Sequence, residues 1–249
     1  MYKNFADIYD ALMYDVDYKG WADYVEEIFR RHGVRPGLVL DLGCGTGSFC
    51  IEMAARGYDM IGVDLSPEML SCAKTKTVEK GLDILYLNQD MTDFELYGTV
   101  GAIVCLMDSI NYITAKNSLK RLLKLVNNYL DPGGLFVFDI NTRYKFEKVF
   151  GENVFYDVSD DVTYIWKNNY DGKRKVCEFD LTFFIKDGDR YIRQDETHYE
   201  RAYAQEEIKE MLGTSDLRLL EVCDELSFKA PCANSQRVFY TCRKPGSIT

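Results

Sequence analysis

Gly43, Gly45 and Gly47 stand at alternate positions directly behind an apolar run that ends in Asp41, in the stretch VLDLGCGTGSF. A glycine turn after a buried strand lets a ligand approach the backbone closely, and the spacing decides which ligand. The dinucleotide fingerprint G-x-G-x-x-G seats a pyrophosphate on the following helix. Here Ser48 occupies the position of its third glycine, and no lysine follows to complete a P-loop. Asp41 at the mouth of the turn repels phosphate and attracts a cation. About 20 residues beyond Gly43, at the end of the next apolar run, Asp64 can accept both hydroxyls of an unphosphorylated ribose. An adenosine-like ribose, a positive charge and no phosphate describe S-adenosylmethionine.

Other polar side chains have types suited to work on a second substrate. Asp108, Asn111 and Tyr112 follow the fourth apolar run, where ligand crevices open in parallel sheets, and Asn141 follows the fifth. His198, with Tyr112 and Asp108, supplies the possible bases. His198 lies in an alternating strand, where a half-exposed structural role is the competing reading. Arg201 has two readings as well: a clamp on an acceptor's carboxylate or phosphate, or a surface partner for a nearby acid such as Glu200.

The elements that must position these residues follow from periodicity. Trp21, Val25, Ile28 and Phe29 recur at helical spacing, after an aromatic and acidic segment holding Tyr9, Tyr14 and Tyr18. Val39-Leu40 closes a strand, SFCIEMAARG forms a helix ended at Gly57, and DMIGVD is the next strand. Ser66-Pro67 opens a helix running to about Gly81. ILYL and GAIVCLM are further strands, with the loop NQDMTDFELYG between them. Leu119 to Leu130 mark an amphipathic helix ended by the turn DPGG, and LFVFDI is the fifth strand. Strands alternating with helices predict a parallel sheet.

From about Tyr144 to Glu200 the pattern changes. Cys177, Phe179, Leu181, Phe183 and Ile185 alternate with Glu178, Asp180 and Thr182, and Asp171-Gly172 and Asp187-Gly188 are hairpin turns by composition. The expectation is an α/β fold, a Rossmann-like, doubly wound and mostly parallel seven-stranded sheet, carrying an inserted antiparallel β lid. The cofactor domain spans residues 1–143 and 201–249, and the lid spans 144–200. A helix at AQEEIKEML and strands at LRLLEVCDEL and RVFYTC complete the first of these.

Composition limits the partners. A net charge of -10 opposes nucleic acid and anionic membrane surfaces. No apolar run approaches the ~20 residues that span a bilayer, and the start MYKNFADIYDAL has no signal-peptide pattern, so the expected location is cytoplasmic. Eight cysteines without a C-x-x-C pair, and only two histidines, argue for reduced thiols and no metal site.

VLDLGCGTGSF, GVDLSPEML, LNQDMTDF and DPGGLFVFDIN, in that order, resemble the successive motifs of class I S-adenosylmethionine-dependent methyltransferases. FADIYDALMYDVDYKGW and HYERAYAQEEI are similar to a subgroup of small bacterial members with a β-sheet insertion after strand five. The resemblance covers the whole chain. It implies that Asp41, Gly43 and Gly45 surround the methionine part and that Asp64 holds the ribose. Leu65 and Met69 would border the adenine. Asp90, after Gln89, would accept from its amino group while Met91 donates from the backbone. Leu106 would line the cofactor, and Tyr9 and Trp21 would close the site. GTSDLRLLEV departs from the family in lacking a Gly-Phe before the sixth strand.

The activity implied is methyl transfer to an N or O nucleophile of a small molecule, by a monomer or homodimer. MDSINY stands where base-amine methyltransferases carry (D/N)-P-P-(Y/F), and Pro231-Cys232 lies far from the position of a cytosine-C5 nucleophile. The competing classes are a non-catalytic S-adenosylmethionine-binding regulator and an NAD-dependent oxidoreductase.

Overall fold

The structure is a computed structural model that describes residues 5–246, without the side chains of Phe5 and Asp7. Five strands lie parallel: β1 (Leu38–Leu42), β2 (Asp59–Asp64), β3 (Leu85–Asn88), β4 (Val100–Cys105) and β5 (Leu130–Asn141). β11 (Arg237–Arg243) pairs antiparallel with β5, and β10 (Arg218–Asp224) antiparallel with β11. The seven-stranded order is β10-β11-β5-β4-β1-β2-β3. β1, β4 and β5 read as continuous apolar runs because both faces are covered.

On one face Val39, Val104, Val137 and Phe239 pack against α2 (Tyr18–Arg31), α3 (Ser48–Ala55) and α4 (Pro67–Glu79). On the other, Leu40, Ile103, Phe136 and Phe138 pack against α5 (Lys116–Tyr129) and α6 (Gln205–Leu212). Ser66 caps α4 by accepting from the Met69 amide at 3.1 Å, and Pro67 takes the first turn, which fixes where β2 hands over to the helix.

The insertion is a four-stranded antiparallel sheet in the order β6 (Val154–Val158), β7 (Val162–Asp171), β8 (Val176–Asp187) and β9 (Arg190–Arg201). One end of its apolar face packs Cys177 and Phe179 on Phe146, Phe150 and Ala202. The other packs Val162, Phe183 and Ile185 on Ile8 of α1 (Phe5–Leu12).

Three local features differ from expectation. The aromatic and acidic N-terminal segment contains α1, because Ala6 and Ile8 have a surface to bury against. DPGG is not a separate turn: it is absorbed into β5 as an irregularity in the pairing with β4, with Gly133 at φ +85°. A π-helical turn at Lys145–Phe150 joins β5 to the insertion. Among the described residues, no helix is long and apolar enough to cross a membrane.

Candidate active site

At the carboxyl ends of β1, β2 and β4, a cavity of about 1270 Å³ opens between the glycine turn, α1 and the inserted sheet. The turn is tied to β2 by the Gly43 and Cys44 amides, which donate to the Val63 carbonyl at 2.8 and 3.0 Å. Gly43 has φ +76°, and a Cβ there would meet Ser109 Oγ at 2.8 Å. Gly45 has φ +53°, and its Cβ position has no atom within 4 Å. The first glycine is required by packing, and the second leaves bare backbone facing open space.

Asp64 Oδ2 accepts from the Gly45 amide at 2.8 Å and Oδ1 from the Ser66 amide at 2.9 Å. Its carboxyl sits above the usual range because burial outweighs these bonds. Asp41 is 3% exposed and accepts from Cys50 Sγ at 3.2 Å. Burial pushes it up to about 7, against the pull of that thiol and with a further push from Asp64. Neither acid makes an ion pair among the described residues, although burying a carboxylate without a cation is costly. Two acids beside an open glycine backbone suit a cationic nucleoside ligand.

Leu65, Met69, Gln89, Asp90, Met91 and Leu106 all line this end of the cavity. Leu65 is 71% exposed, whereas Leu106 is also part of the core. Asp90 Oδ1 caps the following turn by accepting from the Thr92 amide at 2.7 Å, and Gln89 Oε1 accepts from the Glu95 amide at 2.8 Å. Tyr9 and Trp21 also line the cavity. Burial raises the Tyr9 phenol, with further pushes from Tyr18, Asp108, Asp10 and Asp64. Trp21 packs against Phe239 with ring centroids 5.3 Å apart.

Asp10, which the sequence reading did not single out, clasps α1 over the turn. It accepts from Thr46 Oγ1 at 2.5 Å and from Lys76 Nζ at 2.6 Å, and Lys76 also reaches Ser48 Oγ at 2.8 Å.

On the far side, Asp108, Tyr112, Asn141 and His198 line the cavity. Met107 and Asp108 have φ of +54° and +56°, a left-handed conformation that is strained in non-glycine residues. Asp108 is held there by its amide donating to Asp139 Oδ2 at 2.9 Å and by Arg237 Nη2 at 2.6 Å. Arg237 also pairs with Asp139 and, at 3.1 Å, with Glu225. Asp108 is therefore committed to an ion pair. Burial lowers the His198 imidazole although Glu196 pulls the other way, and its ring meets Tyr112 edge-on at 5.9 Å.

Two expected acceptor residues lie elsewhere. Asn111 is fully buried and does not line the cavity. It donates to the Asn141 carbonyl at 3.2 Å and the Arg201 carbonyl at 2.9 Å, and accepts from the Asn141 amide at 2.9 Å, stapling three segments. Arg201 points away, to Glu207 at 3.5 Å and over the Tyr203 ring at 5.3 Å. Its proposed surface partner Glu200 is instead 4% exposed and lines the cavity. Strand alternation contained this signal: positions 196, 198 and 200 share one face of β9, and 201 must face the other way.

Sheet order and turn chemistry define an α/β protein that takes a cationic nucleoside at the carboxyl ends of its strands. A family model described as a methyltransferase domain matches residues 39–134. YqeM of Bacillus subtilis (strain 168), a methyltransferase by name with no acceptor in that name, is 35% identical over 249 residues, 100% of this chain and 99% of the relative. The crystal structure of an S-adenosylmethionine-dependent methyltransferase from Clostridium acetobutylicum ATCC 824 matches with a TM-score of 0.90 at 37% identity, covering 97% of this chain and 98% of that one. A dTDP-3-amino-3,4,6-trideoxy-α-D-glucopyranose N,N-dimethyltransferase from Streptomyces venezuelae is 29% identical over 134 residues, 53% of this chain and 55% of the relative. The chain belongs to the class I S-adenosylmethionine-dependent methyltransferases.

Proposed function

We propose that this enzyme methylates a nitrogen or oxygen nucleophile of a small molecule held between the glycine turn and the inserted sheet. One observation carries the reading: a single cavity of about 1270 Å³, larger than the ~300–1,000 Å³ of most one-ligand pockets, is walled by both bodies. Trp166, Phe179 and Phe183 of the insertion supply an apolar wall facing the turn. The amino-sugar relative supports a small polar acceptor.

Bound S-adenosylmethionine supplies a methyl carbon made electrophilic by its sulfonium. The chain's own part is alignment and exclusion of water, since an in-line displacement needs the nucleophile near ~3 Å from that carbon. Asp64 orients the ribose, Asp41 balances the ligand's charge, and Asp10 holds α1 across the entrance. The deciding experiment measures S-adenosylhomocysteine release with a panel of amino sugars, aliphatic amines, phenols and alcohols. Turnover of at least one supports the reading, and silence across the panel with the cofactor demonstrably bound overturns it.

A further inference from the structure

Glu200 is a buried acid that makes no ion pair among the described residues. It lies on β9 facing the cavity, and its side chain is held by Asn141 Nδ2, which donates to Oε2 at 3.4 Å. Two cations lie nearby, and neither forms a direct ion pair with it. Lys145 Nζ donates to Asn141 Oδ1 at 3.0 Å, and Arg237 is occupied by Asp108, Asp139 and Glu225. Burial, with added repulsion from Asp108, outweighs the Asn141 hydrogen bond and the attraction of Lys145 and Arg237, so the carboxyl is held well above its ordinary range. Tyr112 of the turn after β4 and Cys177 of β8 also sense its charge. This is a site with a place for one more positive charge, on the acceptor side of the cavity.

We propose that Glu200 binds the nucleophilic nitrogen of the acceptor and removes its proton, so that the substrate is an amine. The inference rests on the small-molecule reading above and narrows it. The acceptor arrives as an ammonium ion and passes one proton to the Glu200 carboxylate, which becomes a neutral acid. The freed lone pair forms the N–C bond to the methyl group as the C–S bond breaks, leaving a neutral thioether and a methylated ammonium. Glu200 returns its proton to water when the product leaves. A carboxylate in a dry, acid-rich setting is matched to an ammonium proton, whereas an alcohol holds its proton too tightly for it. Asn141 is a positioning residue, aiming the carboxylate from one side while accepting from Lys145 on the other.

The test uses the full chain saturated with S-adenosylhomocysteine, with cyclohexylmethylamine and cyclohexylmethanol as a probe pair of the same shape. Calorimetry should show the amine binding at least about tenfold more tightly than the alcohol. Glu200→Gln should abolish that preference, and Glu200→Asp should keep part of it. Cofactor-product affinity, measured in a separate titration of S-adenosylhomocysteine into each unliganded variant, reports whether that variant is folded. Equal affinity for the two probes in the wild type, or a preference that survives Glu200→Gln, overturns the proposal. In the acceptor panel, turnover confined to alcohols or phenols would sink this inference and leave the broader function standing. Silence across the panel would remove the broader function first.

Discussion

Asp41 shows how one side chain can couple cofactor binding to pH. Its folded value of about 7 lies above the ~3.9 of an unfolded aspartate, so between these values the unliganded folded protein holds more protons than the unfolded one. Its contribution to stability therefore falls as pH rises through that window. A cationic ligand favours the ionised form, so binding should release a proton, and S-adenosylmethionine affinity should rise from about pH 5.5 to about 7. Calorimetry in buffers of different ionisation enthalpy reads both effects. Asp41→Asn should weaken binding and flatten the profile, and an affinity independent of pH in the wild type would refute the assignment. Asp64→Ala should weaken binding by about 1–3 kcal/mol, because hydrogen bonds to an ionised group are lost. Asp64→Asn, which keeps an acceptor oxygen, should lose less. These two acids were legible in the sequence because strand, turn and spacing are local. Arg237 was not, since its partner Asp139 lies 98 positions away. Glu200 was missed for another reason: charge drew it to its neighbour Arg201, although adjacent residues in a strand face opposite sides.

At the scale of elements, α1 is the piece whose hold on the site can be loosened separately. Its clasp is polar, through Asp10 to Thr46 and Lys76, with the Asp10 side chain 39% exposed and that of Lys76 25% exposed. Such a pair contributes modestly, about 0.2–1 kcal/mol after screening by solvent. Asp10→Ala should therefore raise the S-adenosylmethionine dissociation constant by about two- to fivefold, mainly through a faster off-rate, with faster amide exchange in residues 5–12. Unchanged exchange and off-rate would show that α1 is held by Ile8 and its apolar neighbours alone. The helix escaped the sequence reading because its burial depends on Phe183 and Ile185 of the distant insertion. The Rossmann-like helices and strands, by contrast, carry their own caps and periodicity. The hairpins at Asp171-Gly172 and Asp187-Gly188 were equally plain, since turn chemistry is a matter of adjacent residues.

Two sheets border one cavity, and the two tryptophans report on different parts of the chain: Trp21 on α2, packed against Phe239 of β11, and Trp166 on β7 of the insertion. Ligand bound only to the folded state at about 100 times its dissociation constant adds about 2.7 kcal/mol. For a chain of this length each kcal/mol moves the melting midpoint by about 2–4 °C, so S-adenosylhomocysteine should raise it by about 5–10 °C. NAD at the same concentration should leave it in place, because the turn lacks the third glycine of the fingerprint and presents Asp41 to a pyrophosphate. The insertion should follow the cofactor domain, since its apolar face is buried on Ile8 of α1 at one end and on Phe146 and Phe150, which follow β5, at the other. Fluorescence melts of Trp21→Phe and Trp166→Phe, each with one remaining reporter, should give coincident transitions that shift together with the ligand. A Trp166 signal that melts early and ignores S-adenosylhomocysteine would mean that the inserted sheet does not close the occupied site.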